Sequence, residues 1–443
     1  MSDEQKPDPV KQRVAMLRDM VAELNHLQWY KPSKLQQIQT MKLRALVNHH
    51  AVNSAFFQGQ LKAAGTKPAD INSADMSKLP LLTRRDIQSA GEDFFAKSVP
   101  ESHGKTGEVK TSGSTGQFVK IRATDVVSHF FHAFNVQENM WHNRDLKMRM
   151  CVIKAGGTYA ENSRKPNWGL PYVAMGETGE VQLIDITTDV EEQNKIIQEF
   201  QPEYLLTYPN NIRALLEIWQ RDGNAPAIKH FKSVGETVSE ELRDLVKTVL
   251  GIKVEDVYSS QEMGTIAQTC WYGTYHTMDQ NLIVEILDDD NQPVAQGETG
   301  RVVITDLHNY ASPMIRYEIG DYAVRGSECQ CGRGLQTLVK VRGRERNLIC
   351  HADGSRHWPQ VGMYQFDTLD FLVRRYQVVQ HSLTDIEYRI VVDEPVSESQ
   401  QQDLINLAAA AMGSEFTYRV TQQTSDFAVN PNGKFEEFVC KIK

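Results

Sequence analysis

Between residues 10 and 63, apolar side chains recur every three or four positions: Val14, Leu17, Val21 and Leu24 in one stretch, Leu35, Ile38, Met41 and Ala45 in the next. That spacing predicts two amphipathic helices. From about 105 to 260 the pattern alternates. Apolar runs at 149–153, 204–208, 231–235 and 254–258 predict strands, and helical periodicity near 189–200, 210–221 and 238–250 predicts the helices between them. Strand and helix taken in turn predict α/β layers around a largely parallel sheet, because parallel neighbours need a crossover and a helix supplies it. Between 281 and 325 the helical period disappears. Strand-like 282–287 and 301–304, with Asp288-Asp289-Asp290-Asn291 and Gly297-Glu298-Thr299-Gly300 as hairpin turns, predict a β-rich subdomain. Beyond 343, strand-like 386–392 and 417–421, a helix over 397–412 and a turn at 430–433 predict a small α+β domain. The expected protein is therefore α/β, with a large N-terminal domain over 1–343 and a small C-terminal domain over 344–443.

A chain of 443 residues exceeds what one hydrophobic core serves, which agrees with two domains. Lys and Arg number 48 against 57 Asp and Glu, a net charge of −9 that disfavours nucleic acid or an anionic membrane as the main partner and favours small molecules. The segment Met1-Ser2-Asp3-Glu4-Gln5-Lys6-Pro7 has no basic-then-apolar signal pattern, and no apolar run approaches the roughly 18–20 residues that span a bilayer. A cytoplasmic protein is expected. Its six cysteines are then metal ligands or packing residues, not a disulfide framework.

Two features carry chemistry. Thr111-Ser112-Gly113-Ser114-Thr115-Gly116 puts two glycines and four hydroxyls into six residues, so backbone N–H groups and hydroxyls can converge on phosphate oxygens; a plain turn is the alternative. The Gly-Lys-Ser/Thr ending of a Walker A loop is missing. A strand over 118–122 and a helix capped near Thr124 or Asp125 follow, the helix carrying Phe130, Phe131, Phe134 and Trp141, most simply as core. The second feature is Cys270-x5-His276 with Cys329-x-Cys331. Three thiolates and one imidazole form a closed tetrahedral set suited to structural Zn²⁺, with reduced thiols as the alternative. Cys151, Cys350 and Cys440 read as packing residues without partners.

The hydroxyl-rich loop is similar to the phosphate loop of adenylate-forming enzymes, the superfamily of acyl-CoA synthetases, peptide-synthetase adenylation domains and luciferases. Further matches follow in order: Tyr258-Ser259-Ser260-Gln261-Glu262, Ile315-Arg316-Tyr317-Glu318-Ile319-Gly320-Asp321, Gly343-Arg344 and Asn432-Gly433-Lys434. Ser312-Pro313-Met314, Cys329-x-Cys331-Gly332-Arg333 and Trp358-Pro359-Gln360 resemble the phenylacetate-CoA ligase group in particular, and the resemblance covers about 80–443. It implies activation of a small aromatic carboxylic acid by ATP to an acyl-AMP, with release of pyrophosphate and transfer to coenzyme A. Transfer to an amine, hydroxyl or carrier-protein thiol is an alternative, and a silent nucleotide-binding scaffold a second.

By the same resemblance, residues 111–116 hold the phosphates and Glu262 binds Mg²⁺. Tyr258 stacks near the adenine with Gly235 and Glu236 as a second wall, Ser259 and Gln261 lie beside it, and Asp321 receives the ribose hydroxyls. Arg344 reaches the ribose or phosphate, and Lys434 is the lysine of a mobile C-terminal domain that meets the carboxylate and α-phosphate. The hinge is expected near Arg346-Asn347; residues 129–141 and Trp168-Gly169-Leu170, apart from any core role, are the candidates for lining an acid pocket. Some phenylacetate-CoA-ligase-like proteins carry a similar Cys, His, Cys, Cys set, which supports zinc on Cys270, His276, Cys329 and Cys331. A homodimer is expected by analogy. Ser259 and Gln261 replace the usual Gly and Thr or Ser, and Phe118-Val119-Lys120 replaces a common Pro-Lys.

Overall fold

Three helices, one more than the periodicity predicts, occupy the first stretch: α1 (Pro9–Leu27), α2 (Pro32–Asn53) and α3 (Ala55–Ala63). Ser54 makes the difference. Its backbone is extended, which stops α2, and its Oγ accepts the Phe57 N–H at 3.2 Å, which caps α3. The computed structural model describes the chain except residues 1–8, 112–118, 155, 157, 160–161, 187, 345–348, 355, 358–365, 367, 426, 428–435 and 443; the side chains of 9, 10, 110, 111, 343, 344, 356 and 357 also lie outside the description. The chain divides into two units, Met1–Arg342 and Gly343–Lys443.

In the first unit the helices lead to α4 (Arg84–Ala90), the hairpin β1 (Thr106–Thr111) and β2 (Val119–Thr124), and α5 (Asp125–Trp141). The alternating region follows as β3 (Met150–Lys154), β4 (Arg164–Lys165), β5 (Val181–Asp185), α6 (Val190–Phe200), β6 (Tyr204–Thr207), α7 (Pro209–Asp222), β7 (His230–Val234), α8 (Glu240–Leu250) and β8 (Val254–Ser260). Then come β9 (Gly264–Thr269), β10 (Tyr275–Thr277), β11 (Leu282–Leu287), β12 (Thr299–Asp306), β13 (Tyr317–Arg325) and β14 (Thr337–Arg344).

Twelve of these strands form one sheet in the order β11-β12-β13-β14-β10-β9-β8-β7-β6-β3-β5-β4. Its middle, from β8 to β5, is parallel as expected. The β-rich region is not a separate sheet: it continues the parallel one, joined through the antiparallel β8–β9 pair. The two turn signals near 290 and 298 also belong to a single connection, since β12 begins at Thr299. In β3, Met150 and Val152 enter one core while Cys151 and Ile153 enter another, so both faces of the parallel region are covered, as their unbroken apolar runs require.

The second unit contains β15 (Ile349–Cys350), β16 (Arg356–His357), β17 (Arg375–Gln380), β18 (Asp385–Val391), α9 (Glu398–Met412), β19 (Thr417–Gln423) and β20 (Phe438–Cys440). Its sheet runs β19-β18-β17-β20. Helix α9 starts in a capping box between Ser397 and Gln400 and buries Leu404 and Ala408 with Val378, Ile386 and Ile390. This is the expected α+β arrangement. Among the described residues, no helix is long and apolar enough to cross a membrane.

Candidate active site

Arg316 builds the site's frame. Its φ of +53° turns the chain into the left-handed region, which costs a non-glycine residue energy and needs compensation. The buried guanidinium supplies it, donating to Glu285 at 3.0 and 3.1 Å and to the Leu79 carbonyl at 2.6 Å. Leu82 then pairs with β13 through Leu82 N–H to Arg316 O (2.8 Å) and Glu318 N–H to Leu82 O (2.9 Å). Thr83 and Asp86 close a capping box immediately after, so α4 starts at Arg84. The Arg84 guanidinium consequently lies 3.7 Å from Glu262 Oε1.

Glu262 sits in the tight turn between β8 and β9, only 8% exposed. Ser260 Oγ accepts the Met263 N–H at 3.0 Å within that turn, and Gly264 leaves it at φ +65°. At the end of β8, Tyr258 Oη donates to Asp321 Oδ2 at 2.7 Å. The two strands are four places apart in the sheet, roughly 19 Å if it were flat. They meet because the sheet twists and curls, helped by an irregularity in the β8–β9 register between Tyr258 and Ser259. The Tyr258–Asp321 pair and the Arg84–Glu262 pair are thus joined by the short turn that ends β8.

Gly235, at φ +80°, follows β7, and Glu236 Oε2 accepts from the N–H of Asn210 (3.1 Å) and from its Nδ2 (2.8 Å). An acidic side chain at the start of α7 meets the positive end of that helix, so at least one job of Glu236 is structural. Thr111 ends β1 opposite Val119. Residues 112–116, Arg346, Asn347, 358–360 and Lys434 lie outside the described residues, as do the side chains of Thr111 and Arg344. The hairpin that carries the hydroxyl-rich loop packs on α4, and Ser312 Oγ ties it down by donating to Arg122 O (2.9 Å) and accepting from Arg122 N–H (3.0 Å). On α5, Phe130, Phe134 and Trp141 are buried, whereas Phe131 is 44% exposed. A Cβ added at Gly264 would lie 3.8 Å from the Phe131 ring, which puts that ring beside the Glu262 turn.

Cys270, His276, Cys329 and Cys331 converge, with one ligand atom from each lying within 4.8 Å of all the others. Cys270 Sγ is 3.7 Å from Cys329 Sγ, and Cys331 Sγ is 3.3 Å from His276 Nε2. Burial pushes the Cys270 thiol up to about 12 and, with Arg333 nearby, brings His276 down to about 4. Cys151 is buried, but Cys350 and Cys440 are not unpartnered: their sulfurs lie 3.8 Å apart.

A second cluster, Glu138, His142 and Glu255, also brings metal-type ligands together. Here the arrangement argues for ion pairing. The Arg144 guanidinium bonds both carboxylates, Lys232 Nζ reaches Glu138 at 3.0 Å, and His230 Nδ1 reaches Glu255 at 2.7 Å. The sequence signals neither this network nor Arg84 and Arg316 as organisers. The capping box of Thr83 and Asp86 sets where α4 starts, but nothing local says what its first arginine faces.

No protein-family model matches the chain. It is 23% identical over 401 residues to a phenylacetate-coenzyme A ligase of Thermus thermophilus, covering 84% of this chain and 85% of that one. Its identity to the phenylacetate-coenzyme A ligase of Escherichia coli is 26% over 339 residues, 71% and 72% of the two chains. Among solved structures, a 2-hydroxyisobutyryl-CoA ligase in the postadenylation state superposes with a TM-score of 0.75 at 15% identity, covering 94% of this chain and 92% of that chain. An anthranilate CoA ligase in complex with anthranoyl-AMP superposes with a TM-score of 0.54 at 14% identity, covering 74% and 65%. The chain has the fold of adenylate-forming CoA ligases, and its sequence resemblance is to their phenylacetate-CoA ligase-like branch.

Proposed function

We propose that the protein is an AMP-forming ligase that activates a small aromatic carboxylic acid with ATP and passes the acyl group to coenzyme A. The observation that carries this reading is the bond of Tyr258 to Asp321, with the Arg84–Glu262 pair on the turn four residues on, which offers an acceptor for sugar hydroxyls and a carboxylate–guanidinium pair suited to phosphate from one end of β8. The relatives of known activity named above support the substrate class, and Phe131 beside the Glu262 turn offers an aromatic wall.

In the first half-reaction an oxygen of the substrate carboxylate attacks the α-phosphorus, the bond to the bridging oxygen breaks, and pyrophosphate leaves. Negative charge concentrates at the α-phosphate, so the residues that matter are those that hold or neutralise it. Residues 111–116 would cradle the outgoing phosphates, with Arg84 as a cation for their oxygens. Asp321, oriented by Tyr258, would fix the ribose, while Gly235, Glu236, Ser259 and Gln261 border the nucleotide. Glu262, a hard and nearly buried oxygen donor, suits Mg²⁺, which when bound offsets charge between carboxylate and phosphate. By the resemblance, Lys434 would meet both anions during this step, and Arg344 would support the nucleotide. In the second half-reaction the thiol sulfur of coenzyme A attacks the acyl carbon and AMP departs.

Acid-dependent exchange of labelled pyrophosphate into ATP tests this function. Exchange that appears only with an added aromatic acid is the expected result, and a protein that binds ATP yet exchanges with no acid would overturn it. Glu262→Gln should weaken nucleotide binding and slow exchange about a hundredfold; a full rate at limiting Mg²⁺ would place the metal ligand elsewhere.

We further propose that Cys270, His276, Cys329 and Cys331 hold a structural zinc. Zinc–sulfur bonds of about 2.3 Å in a tetrahedron separate sulfurs by about 3.8 Å, close to the 3.7 Å between Cys270 and Cys329. Burial keeps His276 as the neutral imidazole that a metal requires. Protein purified without chelator should contain one zinc per chain by metal analysis, and substoichiometric zinc would remove the assignment.

A further inference from the structure

Cys350 and Cys440 lie in the second unit, and neither is among the proposed zinc ligands or the residues assigned to catalysis. Their sulfurs are 3.8 Å apart, and both residues are half-buried. The backbone holds them there. Cys440 on β20 is in register with Gln380 on the parallel neighbour β17, and the fully buried Gln380 side chain grips Cys350 from both sides: its Oε1 accepts the Cys350 N–H at 3.0 Å and its Nε2 donates to the Cys350 carbonyl at 2.7 Å. The same Oε1 lies 3.5 Å from Cys440 Sγ. One glutamine therefore fixes both thiols, and side-chain rotation has less than about 2 Å to cover to reach a disulfide.

We propose that Cys350 and Cys440 are a site of reversible oxidation that closes an intramolecular disulfide when the protein meets a low-molecular-weight disulfide such as oxidised glutathione. One thiol, as its thiolate, attacks a glutathione sulfur; its proton passes to solvent and one glutathione leaves as thiol. The second thiol attacks the protein-bound sulfur, the protein S–S bond forms, and the second glutathione leaves. Two protein thiols are oxidised and one disulfide is reduced to two thiols. The bond spans 90 positions, nearly the whole second unit, so it shrinks the unfolded ensemble of that unit and raises its resistance to denaturant.

The whole chain, purified without chelator, would be incubated with oxidised glutathione, alkylated with iodoacetamide, digested without reductant and mapped by mass spectrometry. The expected product is a peptide pair joined through Cys350 and Cys440 that separates on adding dithiothreitol, together with an upward shift in the urea midpoint of the oxidised protein. Cys350→Ser and Cys440→Ser should each lose the joined pair and carry a single glutathione on the remaining thiol. Wild-type protein in which Cys350 and Cys440 are both alkylated, or carry separate glutathiones, would overturn the proposal. That readout is taken on the wild type and does not depend on either variant folding.

Discussion

Lys434→Ala is expected to slow acyl-adenylate formation by about 10²–10³-fold while leaving thioester formation from supplied acyl-AMP within a few-fold of wild type. As the carboxylate attacks, charge moves from the acid onto the α-phosphate oxygens, and a preorganised cation aimed at that charge contributes on the order of 3–4 kcal/mol to the barrier. A lysine suits the role because its compact ammonium sits on a flexible stem and follows charge that shifts. Once the anhydride exists, this demand is gone, so the second half-reaction should not need the residue. Pyrophosphate exchange and single-turnover thioester formation measure the two halves separately. Equal losses in both would contradict a lysine that serves adenylation alone.

Arg144→Met is expected to destabilise the first unit by about 3–5 kcal/mol at neutral pH, the cost typical of breaking a buried ion pair by removing one partner. The Arg144 side chain is fully buried against Glu138 and Glu255, and with it gone two buried carboxylates face each other beside Lys232 and His230. In the wild type, burial works to raise the Glu138 pKa, but Arg144 and Lys232 outweigh it and hold the group below its usual range. Glu255 is lowered in the same way against burial, by His230 and Arg144. A depressed carboxylate contributes stability above its unfolded pKa and loses it as pH falls through the folded value. The wild type therefore loses this contribution on acidification. The variant's carboxylates, deprived of Arg144, take up protons more readily, so the gap should be widest near neutrality and narrow toward the carboxylate range. Urea unfolding across pH measures it; a variant within about 1 kcal/mol of wild type at pH 7 would show that the network is not a stabilising one.

Where chain periodicity bounded an element, the bounds fell within one to three residues of the strand or helix found, because such patterns are written by burial, whereas strands such as β5, β9, β13 and β17 were not read from it. The resemblance to adenylate-forming enzymes pointed to Tyr258, Glu262 and Asp321, and ligand type to the Cys270, His276, Cys329, Cys331 set, whose ligand atoms the structure brings together. Helix α3 was hidden because the signal that separates it from α2 is one serine cap at Ser54. What only the tertiary structure decided were the contacts between distant segments. The β-rich region joined the parallel sheet, Arg84 met Glu262, Gln380 brought Cys350 to Cys440, and Arg144 was buried between two acids. Local sequence fixes which face of an element is apolar, whereas the neighbour a polar side chain meets depends on sheet order and curl, set by the packing of the whole unit.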